Sequence, residues 1–128
     1  MTEIQHIGIL VSKANGCAYC TAAFCTILNY GLQTAEDYVA SLLTQGIDSV
    51  QGDRLSSLLR YALKVNAEPA AITDDDIKQL RDAGLTDKGI VQITHIVSDF
   101  AAYNRLNLAL KTDYDYRGFW QDLAFPGP

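Results

Sequence analysis

The stretch Asp53-Arg54-Leu55-Ser56-Ser57-Leu58-Leu59-Arg60-Tyr61-Ala62-Leu63-Lys64-Val65-Asn66 decides the fold class. Leu55, Leu58, Leu59, Ala62 and Leu63 fall at offsets of three, four, seven and eight, the period of a helix with one apolar face. Arg54, Arg60 and Lys64 lie off that stripe, so one side is core and the other faces water. Asp53 is expected as its N-cap.

Working outward, the same period recurs on both sides. Thr73 precedes Asp74, Asp75 and Asp76, whose carboxylates suit the positive end of a helix dipole. Ile72 and Ile77 form a hydrophobic staple around that start. Thr86 repeats the device with Leu85 and Ile90, and Gly84 ends the short helix between, so residues 73–111 read as a tightly jointed helical hairpin. Its second helix is apolar on most of its circumference, from Ile90 to Leu110, and is expected to be surrounded on several sides. Upstream, Thr34 is expected to cap a helix to about Gln45, followed by a loop at Gly46–Gly52. Thr2–Ala14 reads as a helix, joined by Asn15-Gly16 to a second from Cys17 to Tyr30 that Gly31 stops. No segment alternates with a strand period. The chain is therefore expected to be one all-α domain over 1–128, a bundle of about six helices in residues 2–111. An aromatic tail over 112–128 (Tyr114, Tyr116, Phe119, Trp120, Phe125) is expected to dock on the core or on a neighbouring subunit.

Composition narrows the partners. Asp and Glu number 15 against 10 Lys and Arg, without a basic cluster, which argues against nucleic acid and membrane surfaces. Ile4–Val11 lacks the basic flank of a signal peptide, and the uncharged run Ala14–Ala35 is too interrupted by polar residues and glycine to span a bilayer. A cytoplasmic location is expected. The 3 cysteines include a pair only three residues apart, unlike a secreted disulfide scaffold.

That pair carries the chemistry. A thiol acts as thiolate, and a helix start lowers its pKa from about 8.5. Spacing of three puts Cys17 and Cys20 on one face, within reach of a disulfide. One sulfur can attack an oxidant or disulfide while the other resolves the product. Two other readings stand beside this. Zinc would need two more ligands from His6, His95 and Cys25, which are scattered, so neither metal nor cofactor is expected. Alternatively both cysteines are packing residues. Cys25 faces away from the pair and reads as core. His95, four residues before Asp99, reads as a core histidine, the spacing also letting a carboxylate orient the ring; Tyr19 suits hydrogen bonding or packing equally.

Asn15-Gly16-Cys17-Ala18-Tyr19-Cys20 after an apolar helix resembles the alkylhydroperoxidase (AhpD-like) branch of the carboxymuconolactone decarboxylase family. Val65-Asn66-Ala67-Glu68-Pro69, Ile72-Thr73-Asp74, Ala83-Gly84-Leu85-Thr86 and Ala102-Tyr103-Asn104-Arg105-Leu106 resemble its peroxidase-related members, and the likeness spans about residues 4–110. The resemblance implies an all-α homo-oligomer, a trimer or hexamer, that reduces organic hydroperoxides at two thiols, which a partner disulfide reductant restores. It assigns peroxide attack to Cys20 and resolution to Cys17, whereas the helix-start argument favours Cys17. It also implies a proton relay of glutamate twelve residues before the first cysteine and histidine four after the second, and here Gln5 and Phe24 stand at those positions. Neither can carry a proton as those groups do, so slow chemistry is expected, with His6 a poor substitute because it points about 100° from Gln5. Asn104-Arg105 could line a pocket or, through Arg105, reach across a subunit boundary. Only sixteen residues precede Cys17, where related proteins carry further helices, so apolar surface covered by neighbouring subunits is expected. A non-enzymatic redox sensor or binding protein on the same fold is the alternative, and a decarboxylase-type enzyme a third reading.

Overall fold

The central element is α1 (Thr2–Ala14): eight successive residues, Gln5 to Ser12, are buried, more than two full turns. A helix enclosed on every side needs small or apolar residues all round, and Gly8 supplies the closest approach. A Cβ built at Gly8 would lie 2.5 Å from the Phe24 ring, so α1 and α2 (Ala18–Thr26) meet there at a distance only glycine permits. The computed structural model describes residues 1–112; the tail aromatics Tyr114, Tyr116, Phe119, Trp120 and Phe125 lie outside the described residues.

Around α1 the described chain wraps α2, α3 (Glu36–Gln45), α4 (Asp53–Ala67), α5 (Asp74–Asp82) and α6 (Asp87–Ala109), with no strand among the described residues. Short 3₁₀ turns at Gly46–Ser49 and Pro69–Ala71 join α3 to α4 and α4 to α5. The α4 stripe packs as its spacing requires, with Leu58, Leu59 and Ala62 buried and Leu55 and Leu63 against the same core. Each such side chain taken from water contributes about 1.5–3 kcal/mol for Leu-sized groups. Tyr61, off the stripe, is also buried because its hydroxyl donates to Thr94 Oγ1 at 2.8 Å, and that hydroxyl in turn donates to Ile90 O at 2.9 Å.

The hairpin forms as its sequence dictates. Thr73 Oγ1 accepts from Asp76 N, and the Asp76 carboxylate accepts from Thr73 N at 2.8 Å, a reciprocal cap. Lys64 from α4 pairs with the same carboxylate at 2.7 Å; this hydrogen bond, followed by the backbone one from Thr73, holds Asp76 below the ordinary carboxylate range. Gly84, at φ +94°, closes α5 with Gly84 N on Arg81 O and Leu85 N on Leu80 O.

Four local expectations are corrected. Asp53 is the first helical residue, not the cap, because Gly52 at φ 96° makes the turn into α4. Ala35 rather than Thr34 precedes α3, since Thr34 N instead bonds to Leu28 O in the preceding turn. The helix after Cys17 does not run evenly to Tyr30: it widens to a π turn at Ile27–Gly31, and Gln33 rather than Gly31 takes the left-handed φ. Within the described residues α6 is not surrounded; Val91, Tyr103, Leu106, Leu108 and Leu110 are exposed, and the enclosed helix is α1.

Candidate active site around the cysteine pair

The Asn15-Gly16 turn delivers Cys17 to the start of α2. Gly16 adopts φ 74°, a left-handed conformation that fits glycine, and Cys17 N then bonds back to Ser12 O at 2.9 Å. The turn is tied to two distant helices by amides. Asn15 Nδ2 donates to Asn66 Oδ1 and to Asn104 Oδ1, each at 2.9 Å, and Asn66 Nδ2 donates to Asn15 Oδ1 at 2.8 Å. Asn104, 1% exposed, completes the chain by donating to Ser12 Oγ at 2.9 Å. A buried polar network satisfied in this way fixes geometry, because each member left alone would lose its partner in a low dielectric.

Cys17 is the N-cap of α2: its Sγ accepts the Cys20 backbone N–H at 3.3 Å. Cα atoms of the pair are 5.3 Å apart and the sulfurs are joined in a disulfide, so the spacing of three does what the sequence suggests. When the bond is reduced, that N–H and the helix dipole favour negative charge on Cys17. Both cysteines are buried, at 2% and 5% exposed. Cys17 nevertheless lies against a surface pocket of about 310 Å³ lined also by Gly16, Ala18, Tyr19, Asn107, Leu108, Lys111 and Thr112.

The remaining candidates sort clearly. Tyr19 lines this pocket and is half-buried. Phe24 stands one turn beyond Cys20, its ring pressed on Gly8 of α1 and 4.5 Å from the Phe100 ring. Gln5, three residues before Gly8, is 7% exposed, and its Oε1 is buried without a hydrogen-bond partner among the described residues. The relay positions thus hold an aromatic contact and a neutral amide. His6 turns to the other side: its Nδ1 lies 2.8 Å from Thr2 O, so that nitrogen donates, and Nε2 accepts from Tyr38 Oη at 2.8 Å. Burial pushes the Tyr38 hydroxyl above its ordinary pKa, which keeps it a donor.

His95 is corrected from core to surface. It is exposed, makes no hydrogen bond to Asp99, and lines a different pocket with Tyr61, Thr94 and Ser98. Asn104 does not line the cysteine pocket but braces it from behind, and Arg105 is exposed. Cys25 is sealed in the core, where burial pushes its thiol up to about 12. Among the described residues no group of three His, Cys, Asp or Glu side chains converges as a metal site would. Sequence reasoning missed the pocket's far wall, Asn107 to Thr112, because only folding brings the end of α6 beside Cys17. It also missed the amide clasp, although Asn15, Asn66 and Asn104 all stand in the family-like motif blocks.

No protein-family model and no curated protein matches the chain. Solved structures do. An uncharacterized peroxidase-related protein from Silicibacter sp. matches at TM-score 0.85 and 25% identity over 93% of this chain and 63% of its own. An uncharacterized peroxidase-related protein from Ralstonia eutropha, described as an alkylhydroperoxidase AhpD core, matches at 0.78 and 26% over 84% and 56%. A protein of unknown function from Agrobacterium tumefaciens, whose description carries the AhpD name, matches at 0.77 and 23% over 90% and 78%. The chain spans less than two thirds of the first two. The first two neighbours support the AhpD-like family, and all three support its all-helical fold.

Proposed function

We infer, with the AhpD-like fold as premise, that this chain is a thiol-dependent oxidoreductase that reduces organic hydroperoxides at Cys17 and Cys20. The observation that carries the reading is a bonded pair at the start of α2, with Cys17 among the residues that line a surface pocket. In the reduced state a thiolate attacks the terminal peroxide oxygen, the O–O bond breaks, and the organic fragment leaves as an alkoxide that takes up a proton to become the alcohol. The resulting sulfenic acid is attacked by the second thiol, which forms the disulfide and releases water. A dithiol reductant, the partner a thiol–disulfide protein supplies in a reducing cytoplasm, then returns both thiols by exchange. The N-cap hydrogen bond and the pocket favour Cys17 as the attacking sulfur, the reverse of the order the family resemblance implies. Gln5 and Phe24 leave proton transfer to solvent, so turnover is slow. The exposed apolar residues of α6 favour self-association into a homo-oligomer.

The test is consumption of cumene hydroperoxide with dithiothreitol as reductant. Cys17→Ser abolishes turnover, Cys20→Ser keeps only what dithiothreitol sustains by reducing the sulfenic acid directly, and unchanged rates in both variants sink the reading. Trapping the sulfenic acid with dimedone in each single variant names the attacking sulfur: an adduct on Cys17 in Cys20→Ser supports Cys17 as the attacker. The buried amide at Gln5 and the ring at Phe24 favour a second reading, an oligomeric redox sensor that cycles between dithiol and disulfide without catalytic turnover.

A further inference from the structure

The ends of α5 and α6 are built alike. At α5 the left-handed position is Gly84, with Gly84 N on Arg81 O and Leu85 N on Leu80 O. At α6 the same two bonds recur, Lys111 N on Leu108 O and Thr112 N on Asn107 O, but the left-handed residue is Lys111, at φ 52°. Glycine adopts this conformation freely, whereas a lysine there is strained. Attraction between its charge and the negative end of the α6 dipole offsets part of that strain and would do as much from a position one turn earlier. What the left-handed position adds is place: it sets Lys111 in the wall of the pocket that holds Cys17. Lys111 makes no ion pair among the described residues, in a chain whose formal net charge is −5.

We propose that Lys111 is a substrate-recognition residue whose ammonium binds the carboxylate of an organic hydroperoxide, while the apolar body of that substrate lies over Ala18, Tyr19 and Leu108. The assignment rests on the peroxidase reading of the Cys17–Cys20 pair. It gives the pocket a chemistry its walls match: one cation, an aromatic and two aliphatic side chains, together with Cys17. An acidic protein as a whole repels anions, so a preference for a carboxylate has to come from a local positive group.

The experiment compares kcat/KM for cumene hydroperoxide carrying a para-carboxylate with that for its methyl ester, at low salt. An exposed charge pair is worth up to about 1 kcal/mol, so the wild type should prefer the acid roughly threefold to fivefold, and added sodium chloride should erode the preference. Lys111→Met brings the ratio to about one and Lys111→Glu inverts it. Because each ratio is taken within one variant, partial loss of folded protein cancels. A wild-type ratio of one, or a preference kept in both variants, overturns the assignment and leaves the peroxidase reading standing. Absence of turnover on either compound overturns the peroxidase reading instead. Lys111 is then judged by binding, with the product alcohol as probe: the carboxylate form should slow iodoacetamide alkylation of the reduced pair at lower concentration than its ester, and equal protection ends the proposal.

Discussion

The two turns of α2 are built on opposite principles. Its first turn follows the Asn15-Gly16 turn, which amides from α1, α4 and α6 tie in place, and it opens to a pocket. Its second turn carries Phe24 on Gly8 and Cys25 sealed in the core. Groups capable of bond-making chemistry stand in the first turn, and the second offers neither a carboxylate nor an imidazole at the positions from which a relay would act. Holding two sulfurs in place and moving a proton to their product are therefore separable properties, and the scaffold retains the first.

The sharpest way to break this contrast is to put proton carriers at Phe24 in the second turn and at Gln5 of α1. Gln5→Glu combined with Phe24→His should raise peroxide turnover, by as much as about a hundredfold if general acid–base catalysis is restored. Steady-state rates with cumene hydroperoxide measure it, and a parent already as fast as the double variant removes the contrast altogether. A thermal melt confirms that the histidine ring is accommodated beside Phe100.

A medium effect is expected from untying the Asn15-Gly16 turn. Asn104→Ala leaves Ser12 Oγ and one Asn15 N–H without partners in a buried setting, at a cost of about 2–3 kcal/mol. For a domain of this size that lowers the melting temperature by roughly 8–15 °C. Removal of the exposed Lys78–Asp82 pair should shift the melting temperature far less by comparison. Equal shifts for the two changes would mean that the amide clasp is ornamental.

An effect absent at neutral pH tests whether the second turn is sealed. Burial raises the Cys25 pKa from 9.0 to about 12, with Lys13 opposing the shift slightly. The unfolded thiol loses its proton first, so this contribution to stability is complete below pH 9 and is lost as pH rises toward 12, at about 1.4 kcal/mol per pH unit. Denaturant titrations from pH 8 to 10.5 should show the decline in the parent and not in Cys25→Ala. Alkylation of Cys25 in the folded, oxidised protein at pH 8 would contradict the burial directly.

Helix-level structure was legible in the sequence where local chemistry decides it. The α4 stripe, the Thr73 and Thr86 caps and the Gly84 turn depend on neighbours within a few positions, and the structure keeps them. That Cys17 and Cys20 lie within disulfide reach was legible for the same reason; that they are bonded was not. Choosing which apolar helix sits at the centre was not, because α1 and α6 are both apolar and only tertiary packing encloses the one with Gly8. His95 was misplaced on that account: a helix taken as surrounded makes its histidine core, and here that face is open. The pocket wall at Asn107–Thr112 and the bonds among Asn15, Asn66 and Asn104 join positions far apart in the chain, and no local period announces such meetings.

The π turn at Ile27–Gly31, where Leu32 N reaches back to Ile27 O, has a consequence for comparing sequences. A turn wound one residue wider absorbs a single extra position without displacing the helix before it. Homologues with an ordinary turn there would match this chain only after a one-position gap downstream of Gly31. Gln5, Cys17, Cys20 and Phe24 all precede the widening, so their alignment needs no such adjustment, while every correspondence drawn from α3 onward does.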